Sequence, residues 1–262
     1  MKEALRRLAP PAGTPGEHLR PFVQVRDGLR SLHFSIAAVQ SRVDLQRPDR
    51  LDLEYTRLMM AFLLLHRAPG AIASIGMVGL GGGSLARFCH RQVPQARLWV
   101  AEINPHVIAL RREFDVPEDG ERFQVVQADG AAFVRCIPGR LDALLVDGYH
   151  AQGLPRSLST QRFFDDCAAA LRTDGVLAMN LWAEPRRMTL VLERLRRSFG
   201  GVLLAVPDSD GVNTVVFATR GNALQSLRAG PLRRPPGMDG AGWTQLQGAF
   251  SRVLGAWREE FA

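Results

Sequence analysis

The glycine-rich segment VGLGGGSLARF, residues 78–88, constrains the fold of this chain more than any other feature. The apolar run before it, residues 71–78, is typical of a buried parallel strand, and a helix is expected to open near Ser84. Another apolar run, residues 98–103, predicts the next strand and carries Glu102. Glycine lets backbone approach a ligand closely and adopts positive φ at little cost. This order predicts a βαβ unit that binds a nucleoside, with Glu102 accepting from its ribose hydroxyl pair.

Two further acidic residues follow predicted strands. Asp129 comes just after the strand predicted for residues 122–127, and Asp147 ends the apolar segment LDALLVDG. With Glu102, three acidic side chains fall at the carboxyl ends of three successive strands, which is where open α/β sheets bind ligands. Simpler interpretations stay open: the glycine turn is purely structural, Asp129 only caps a helix, and Asp147 is only a turn residue.

The length of 262 residues is enough for one main domain with a smaller N-terminal one. No apolar run approaches the roughly 20 residues of a membrane span, so a membrane protein is not expected. The N-terminus lacks the apolar core of a secretory signal, which predicts a cytoplasmic protein. The predicted division is a basic tail (1–20), a small β domain (21–50), the main α/β domain (51–220) and a linker with a terminal helix (221–262).

The basic character of the chain does not by itself indicate a nucleic-acid partner. The net charge is +7, and because Lys2 is the only lysine, 33 − 1 = 32 of the basic residues are arginines. They are scattered over several predicted helices, which is typical of solvated faces, so no nucleic-acid partner is expected. The cysteines, which are Cys89, Cys136 and Cys167, lack the short spacings of metal ligands, so no metal site is predicted.

The order of secondary structure predicts the topology. Residues 21–45 alternate around Asp27-Gly28, which indicates a β-hairpin ahead of the main sheet. A helix is predicted for residues 51–66, and strands then alternate with helices until two apolar strands joined by PDSDG. The pattern predicts an α/β fold with a mostly parallel sheet, helices on both faces and an antiparallel C-terminal hairpin. A linker and a last helix over residues 245–258 follow.

These elements, with the segments VQSRVDL and LEYTRLMM, the glycine loop, Glu102, Asp129-Gly130 and Asp147, resemble the spermidine synthase family over residues 21–219. These aminopropyltransferases have the Rossmann-like fold of class I AdoMet-dependent methyltransferases. The resemblance implies that the chain binds decarboxylated AdoMet or AdoMet as its donor substrate and, from the decarboxylated form, transfers an aminopropyl group to an amine acceptor. It also implies no metal and a homodimer.

The resemblance assigns roles to individual residues. Asp147 matches the catalytic aspartate. The implied donor-binding residues are Gln40, Gly79, Gly81, Gly82, Gly83, Glu102, Ile103, Asp129 and Gly130. The implied acceptor-binding residues are Tyr55, Tyr149, His150 and Trp182.

Two positions depart from the family pattern. Gly82 stands where the family has an aspartate between its glycines, and His150 stands where it has a second aspartate after the catalytic one. Ammonium groups that lose water without such partners cost several kcal/mol in a dry site. Glu184, or Asp208 and Asp210 in PDSDG, are candidate replacements.

Three other functions are kept as alternatives. Gly82 suits a small-molecule methyltransferase, because space and neutral charge there fit the carboxylate of intact AdoMet. A non-catalytic nucleoside-binding protein retains the same pocket without turnover. An NAD-dependent oxidoreductase fits Gly79, Gly81 and Glu102 but gives no role to Asp129-Gly130 or Gln40.

Overall fold

A seven-stranded sheet and a smaller three-stranded sheet organise the chain. The computed structural model describes residues 5, 8, 18–35, 38–150, 153–182, 184–227 and 230–261. Most of the basic tail predicted for residues 1–20 therefore lies outside the described residues.

The small sheet comprises the antiparallel strands β1 (Phe22–Arg26), β2 (Leu29–Ser35) and β3 (Ala38–Asp44). The turn between β1 and β2 lies at Asp27 and Gly28, whose φ angles are 52° and 75°. Two consecutive positive φ values match the twist of a tight hairpin, so the predicted hairpin is confirmed. The third strand extends it into a sheet.

The large sheet has the strand order β6-β5-β4-β7-β8-β10-β9. Its strands are β4 (Ser74–Val78), β5 (Arg97–Glu102), β6 (Phe123–Gln127), β7 (Leu141–Val146), β8 (Leu171–Leu181), β9 (Leu204–Pro207) and β10 (Thr214–Thr219). Strands β4 to β8 pair in parallel, whereas β10 is antiparallel to both β8 and β9. The predicted α/β sheet with a C-terminal hairpin is thus confirmed. Chain order reverses between β4 and β7, and a crevice for ligands opens at such a switch point.

The two faces of the large sheet bury different cores. Alternate residues of β7 show this: Ala143 and Leu145 face one cluster, whereas Leu144 and Val146 face the other. Strands buried on both faces are continuously apolar, which explains the unbroken run LDALLV. The helices are α1 (Glu54–Met59), α2 (Phe62–Leu65), α3 (Ser84–Gln92), α4 (Pro105–Ala109), α5 (Gly130–Arg135), α6 (Gln161–Ala170), α7 (Pro185–Ser198), α8 (Ala223–Ser226) and α9 (Gly240–Phe261).

Two helices differ from the prediction. The single helix expected for residues 51–66 is divided into α1 and α2. At the junction the backbone hydrogen bonds join residues three apart, as in a 3₁₀ turn; Leu63 N–H, for example, donates to the Met60 carbonyl. The last helix begins earlier than residue 245, since an Asp239 carboxylate oxygen accepts from Gly242 N–H at 2.6 Å and caps it. In the described part of the chain, no helix has the length and apolarity needed to cross a membrane.

A buried carboxylate at the opposite end of the parallel strands from the glycine loop has a structural role. Asp142, 7% exposed at the start of β7, accepts from the backbone N–H of Ala73 and Ser74 at 2.9 Å each, and from the Ser74 hydroxyl at 2.7 Å. Arg172 donates to it at 2.9 Å. Burial raises the pKa of Asp142, but these hydrogen bonds and the arginine charge hold the pKa below its usual value overall. Asp142 therefore joins β4 to β7 and the start of β8.

Candidate active site

A cavity of about 680 Å³ opens where the parallel strands end. The glycine loop, the ends of β5 to β8, the start of α1, strand β3 and the β9–β10 loop all contribute to its walls. Twelve of the fourteen residues assigned from the sequence line it: Gln40, Tyr55, Gly79, Gly81, Glu102, Ile103, Asp129, Gly130, Asp147, Tyr149, His150 and Trp182. The three acidic residues at the strand ends are thus brought to one hollow.

The four glycines of the loop serve different purposes. Gly79 has a φ of 95°, and a Cβ there would collide with the Asp147 carbonyl, so the backbone of β4 passes directly against the end of β7. Gly81 borders the cavity with a φ of 52°. A Cβ on Gly82 would instead lie 2.7 Å from Ser41 Oγ, and one on Gly83 would collide with Val116.

Gly82 and Gly83 pack against other parts of the chain, and the expectation that they contact the donor stays a prediction. Neither is among the described residues that line the cavity. Gly82 is a glycine because β3 and Phe114 pack against it, with Phe114 Cδ1 2.9 Å from the position of a Cβ. Gly83 precedes α3 with a φ of 70°, a conformation that favours glycine.

Glu102 ties the glycine loop to the end of β5. It is 8% exposed, and its two carboxylate oxygens accept from the backbone N–H of Leu80 and of Asn104, both at 2.8 Å. Burial raises the pKa of Glu102, and these backbone hydrogen bonds lower the pKa only in part. Each carboxylate oxygen keeps further acceptor capacity, so hydroxyl groups of a ligand can also donate to Glu102.

Asp129 caps a helix and also lies at the cavity wall. Its Oδ1 accepts from Ala132 N–H at 2.9 Å and caps α5, while the residue also lines the cavity. The neighbouring Gly130 allows α5 to pack closely on β4, because a Cβ there would collide with the Val78 side chain. Ile103, 40% exposed, provides apolar surface nearby.

Asp147 lies at the centre of a hydrogen-bonded group. Its Oδ2 accepts from the Tyr55 hydroxyl at 3.1 Å, and its Oδ1 accepts from Asn180 Nδ2 at 2.9 Å. Burial raises the pKa of Asp147, and the two hydrogen bonds offset only part of this rise. Burial and the Asp147 charge also raise the pKa of Tyr55, so the phenol stays protonated as a donor. The group can accept a proton from a ligand.

Asn180 was missed by the sequence analysis. It is 4% exposed on β8 and reaches Asp147 because β8 pairs in parallel with β7. The signal available was one amide residue inside the apolar strand VLAMNLW. Its backbone carbonyl accepts from the Tyr149 hydroxyl at 3.0 Å, and that hydroxyl accepts from Trp182 N–H at 2.6 Å. Tyr149 therefore holds the wall that carries Trp182.

The β9–β10 loop forms one end of the cavity. Asp208, 8% exposed, accepts from its own loop: from Val212 N–H at 2.9 Å, and from the N–H and side chain of Asn213 at 3.1 and 2.9 Å. Glu54 accepts from Ser209 N–H at 3.1 Å and pairs with Arg252. Glu184 is exposed at the start of α7 and is not among the described lining residues.

The charge of the cavity is opposite to that of the chain. Six carboxylate residues line it, and neither arginine nor lysine occurs among its described lining residues. The six are Glu54, Glu102, Asp129, Asp147, Asp208 and Asp210. In a chain with a net charge of +7, this distribution favours cationic ligands and disfavours a pyrophosphate such as that of NAD.

Comparisons with known proteins agree with this geometry. The family model described as the spermine/spermidine synthase domain matches residues 53–203. The chain is 40% identical to a polyamine aminopropyltransferase of Chromobacterium violaceum over 209 residues, 79% of each chain. It is 38% identical to a polyamine aminopropyltransferase of Neisseria meningitidis serogroup B over 192 residues, 72% of each chain. Its fold resembles that of a probable spermidine synthase from Corynebacterium glutamicum, with a TM-score of 0.66, 20% identity and coverage of 76% of each chain.

Proposed function

The chain belongs to the spermine/spermidine synthase family, and on that premise we propose that it transfers an aminopropyl group from decarboxylated AdoMet to an amine acceptor. The charge of the cavity carries this proposal. Both substrates are cations, because the donor has a sulfonium and an ammonium group and the acceptor has amine groups that are protonated in water. The six carboxylate residues of the cavity suit such ligands.

The donor half of the site is assigned to the ends of β4, β5 and β6. We assign the ribose hydroxyls to Glu102 and the adenine end to Asp129, Gly130 and Ile103. Intact AdoMet carries a carboxylate, for which the described lining residues provide no arginine or lysine. This difference favours the decarboxylated donor and disfavours the methyltransferase alternative.

The reaction is a displacement at carbon. The acceptor nitrogen attacks the methylene carbon bound to the sulfonium, and the new C–N bond forms as the C–S bond breaks. The sulfur keeps the electron pair and leaves in neutral 5′-methylthioadenosine. Such a reaction is accelerated chiefly by in-line positioning and exclusion of water. The protein needs no covalent intermediate.

We assign Asp147 as the group that accepts the proton lost by the acceptor nitrogen. The acceptor nitrogen must be neutral to attack, and it loses a proton in the reaction, which a carboxylate within hydrogen-bond reach can take. The burial that raises the pKa of Asp147 makes it a stronger base than an exposed aspartate. Tyr55 and Asn180 hold both carboxylate oxygens and so fix the orientation of the group.

The remaining wall residues are assigned to the acceptor. Gln40, Tyr149, His150 and Trp182 line the same cavity, and Trp182 is 46% exposed there. An aromatic face next to an alkylammonium provides a favourable cation–π contact. The homodimer, the cytoplasmic location and the domain limits stay predictions.

Product masses test the proposal. The purified chain is incubated with decarboxylated AdoMet and a panel of diamines, and in parallel with AdoMet and the same amines. We expect an aminopropylated amine and an equal amount of methylthioadenosine with the decarboxylated donor alone. Methylated product and S-adenosylhomocysteine would establish the methyltransferase alternative instead. Saturable donor binding without product would establish the nucleoside-binding alternative.

A further inference from the structure

A second pocket, which we call the arginine pocket, lies between the loop after β7 and helix α7. Its volume is about 630 Å³. It is lined by His150, Leu154, Arg156, Ser159, Arg187, Leu190, Val191 and Arg194. None of the three arginines has a role in the proposed transfer reaction, so the pocket is a candidate for a separate function.

Two of the arginines are fixed by the loop they face. Arg187 and Arg194 are seven residues apart on α7, which places them on the same face of the helix. Arg187 donates to the Leu154 carbonyl, and Arg194 donates to the Ser159 carbonyl at 2.6 Å. Arg156 joins them from the loop itself. A guanidinium has five N–H donors, so each of the two fixed groups retains several for a ligand.

The pocket has positive charge without a protein counter-ion. Nine other arginines of the described part pair with a carboxylate, but none of the three in the pocket does. Helix α7 adds to the local charge, because its 14 residues include five arginines and one glutamate. Arg187 and Arg194 are half-buried, where solvent screens repulsion between like charges less than on an open surface. A bound anion would relieve this repulsion.

The floor of the pocket is apolar. Leu154 and Val191 are buried, while Leu190 leaves 43% of its surface exposed. A planar guanidinium can donate two parallel hydrogen bonds to two oxygens of one phosphate, so arginine suits phosphate binding well. We propose that the arginine pocket is a binding site for a phosphate group. The inference is independent of the transfer reaction, whose cationic substrates these three arginines would repel.

Binding of phosphate to the purified full-length chain tests the proposal. Inorganic phosphate and n-butyl phosphate are titrated separately by calorimetry, with ionic strength held constant by sodium chloride to remove screening effects. We expect saturable binding of one phosphate per chain. Tighter binding of the butyl ester would show that the ligand is an ester seated on Leu190, and equal affinities would show that free phosphate is sufficient. Absence of saturable binding of either phosphate above the sodium chloride background would overturn the site.

Three variants separate ligand binding from support of the loop. Arg187→Gln and Arg194→Gln each remove charge-assisted hydrogen bonds, so each should weaken phosphate binding by about tenfold or more. Arg156→Gln should also weaken it, and in the described part the Arg156 side chain makes no hydrogen bond or ion pair whose loss would disturb the loop. Arg196→Gln, on an exposed position of the same helix, is the matched control. Equal affinity in all four variants and the wild type would refute the assignment.

Discussion

Replacement of Asp147 by asparagine removes the proton acceptor while keeping the size of the side chain. Loss of a positioned general base reduces rate by about 10²–10⁴-fold. At about 1.4 kcal/mol per factor of ten, this is about 3–5 kcal/mol of transition-state stabilisation. We expect kcat to fall by this amount, because the residue contacts the reacting nitrogen in the proposed mechanism.

The hydrogen bonds of Asp147 allow the structural cost to be estimated separately. Both carboxylate oxygens accept, one from Tyr55 and one from Asn180. The amide of an asparagine has one oxygen and one NH₂, so one of the two donors loses its acceptor. The Tyr55 hydroxyl can rotate and accept instead, which limits the loss to about 1 kcal/mol. The variant should therefore fold and bind the donor, whose nucleoside we assign to Glu102 and Asp129.

The assay measures methylthioadenosine release for kcat, calorimetric affinity for the donor, and thermal unfolding. Glu121→Gln, an equivalent carboxylate-to-amide change at an exposed position, is the matched control. If Asp147→Asn kept kcat within about tenfold of the wild type, Asp147 would not be the base. If it lost donor affinity and stability together, its main role would be structural.

Three further predictions concern the hydrogen bonds and packing around the site and the sheet. Tyr55→Phe removes a hydrogen bond that lowers the pKa of Asp147, so the acid limb of the kcat/KM–pH profile should move to higher pH; an unmoved limb would contradict this. Gly82→Ala presses a methyl group against Ser41, and urea unfolding should show a loss of about 1–3 kcal/mol. Adding Ser41→Gly should restore part of that loss, and full additivity of the two changes would argue against the contact. The pKa of Asp142 is depressed, so this residue stabilises the folded state above the ordinary carboxyl pKa. That contribution to the free energy of unfolding is lost as pH falls through the depressed pKa. Asp142→Asn should therefore cost about 1–3 kcal/mol at neutral pH and little in strong acid, and a cost independent of pH would refute this account.

Local sequence was sufficient for the elements whose geometry is local. Asp27 and Gly28 both adopt positive φ, as their residue types indicate for a hairpin turn. The convergence of Glu102, Asp129 and Asp147 also followed from the sequence, because parallel neighbouring strands bring their carboxyl ends to one edge. These predictions depend only on where each strand ends, and apolar runs in the sequence indicate the strand ends.

Features that depend on distant packing were not predictable. Gly79, Gly81, Gly82 and Gly83 look equivalent in sequence, yet Gly82 faces strand β3 and Gly83 faces Val116, about 30 residues later in the chain. Asn180 is likewise close to Asp147 only because β8 lies next to β7 in the sheet. Neither fact follows from composition or spacing, since each depends on which elements become neighbours.

Two structural regions line the cavity: the ends of the parallel strands and the C-terminal hairpin. The proposed donor side lies at the ends of the parallel strands, where glycines such as Gly79 pack too closely against neighbouring backbone to accept a side chain. The loop between β9 and β10 reaches the same cavity from an appended antiparallel pair at the sheet edge. Its length and residues can diverge without altering the first region. The loop residues Asp208 and Asp210 can therefore change without a change in the residues assigned to the donor.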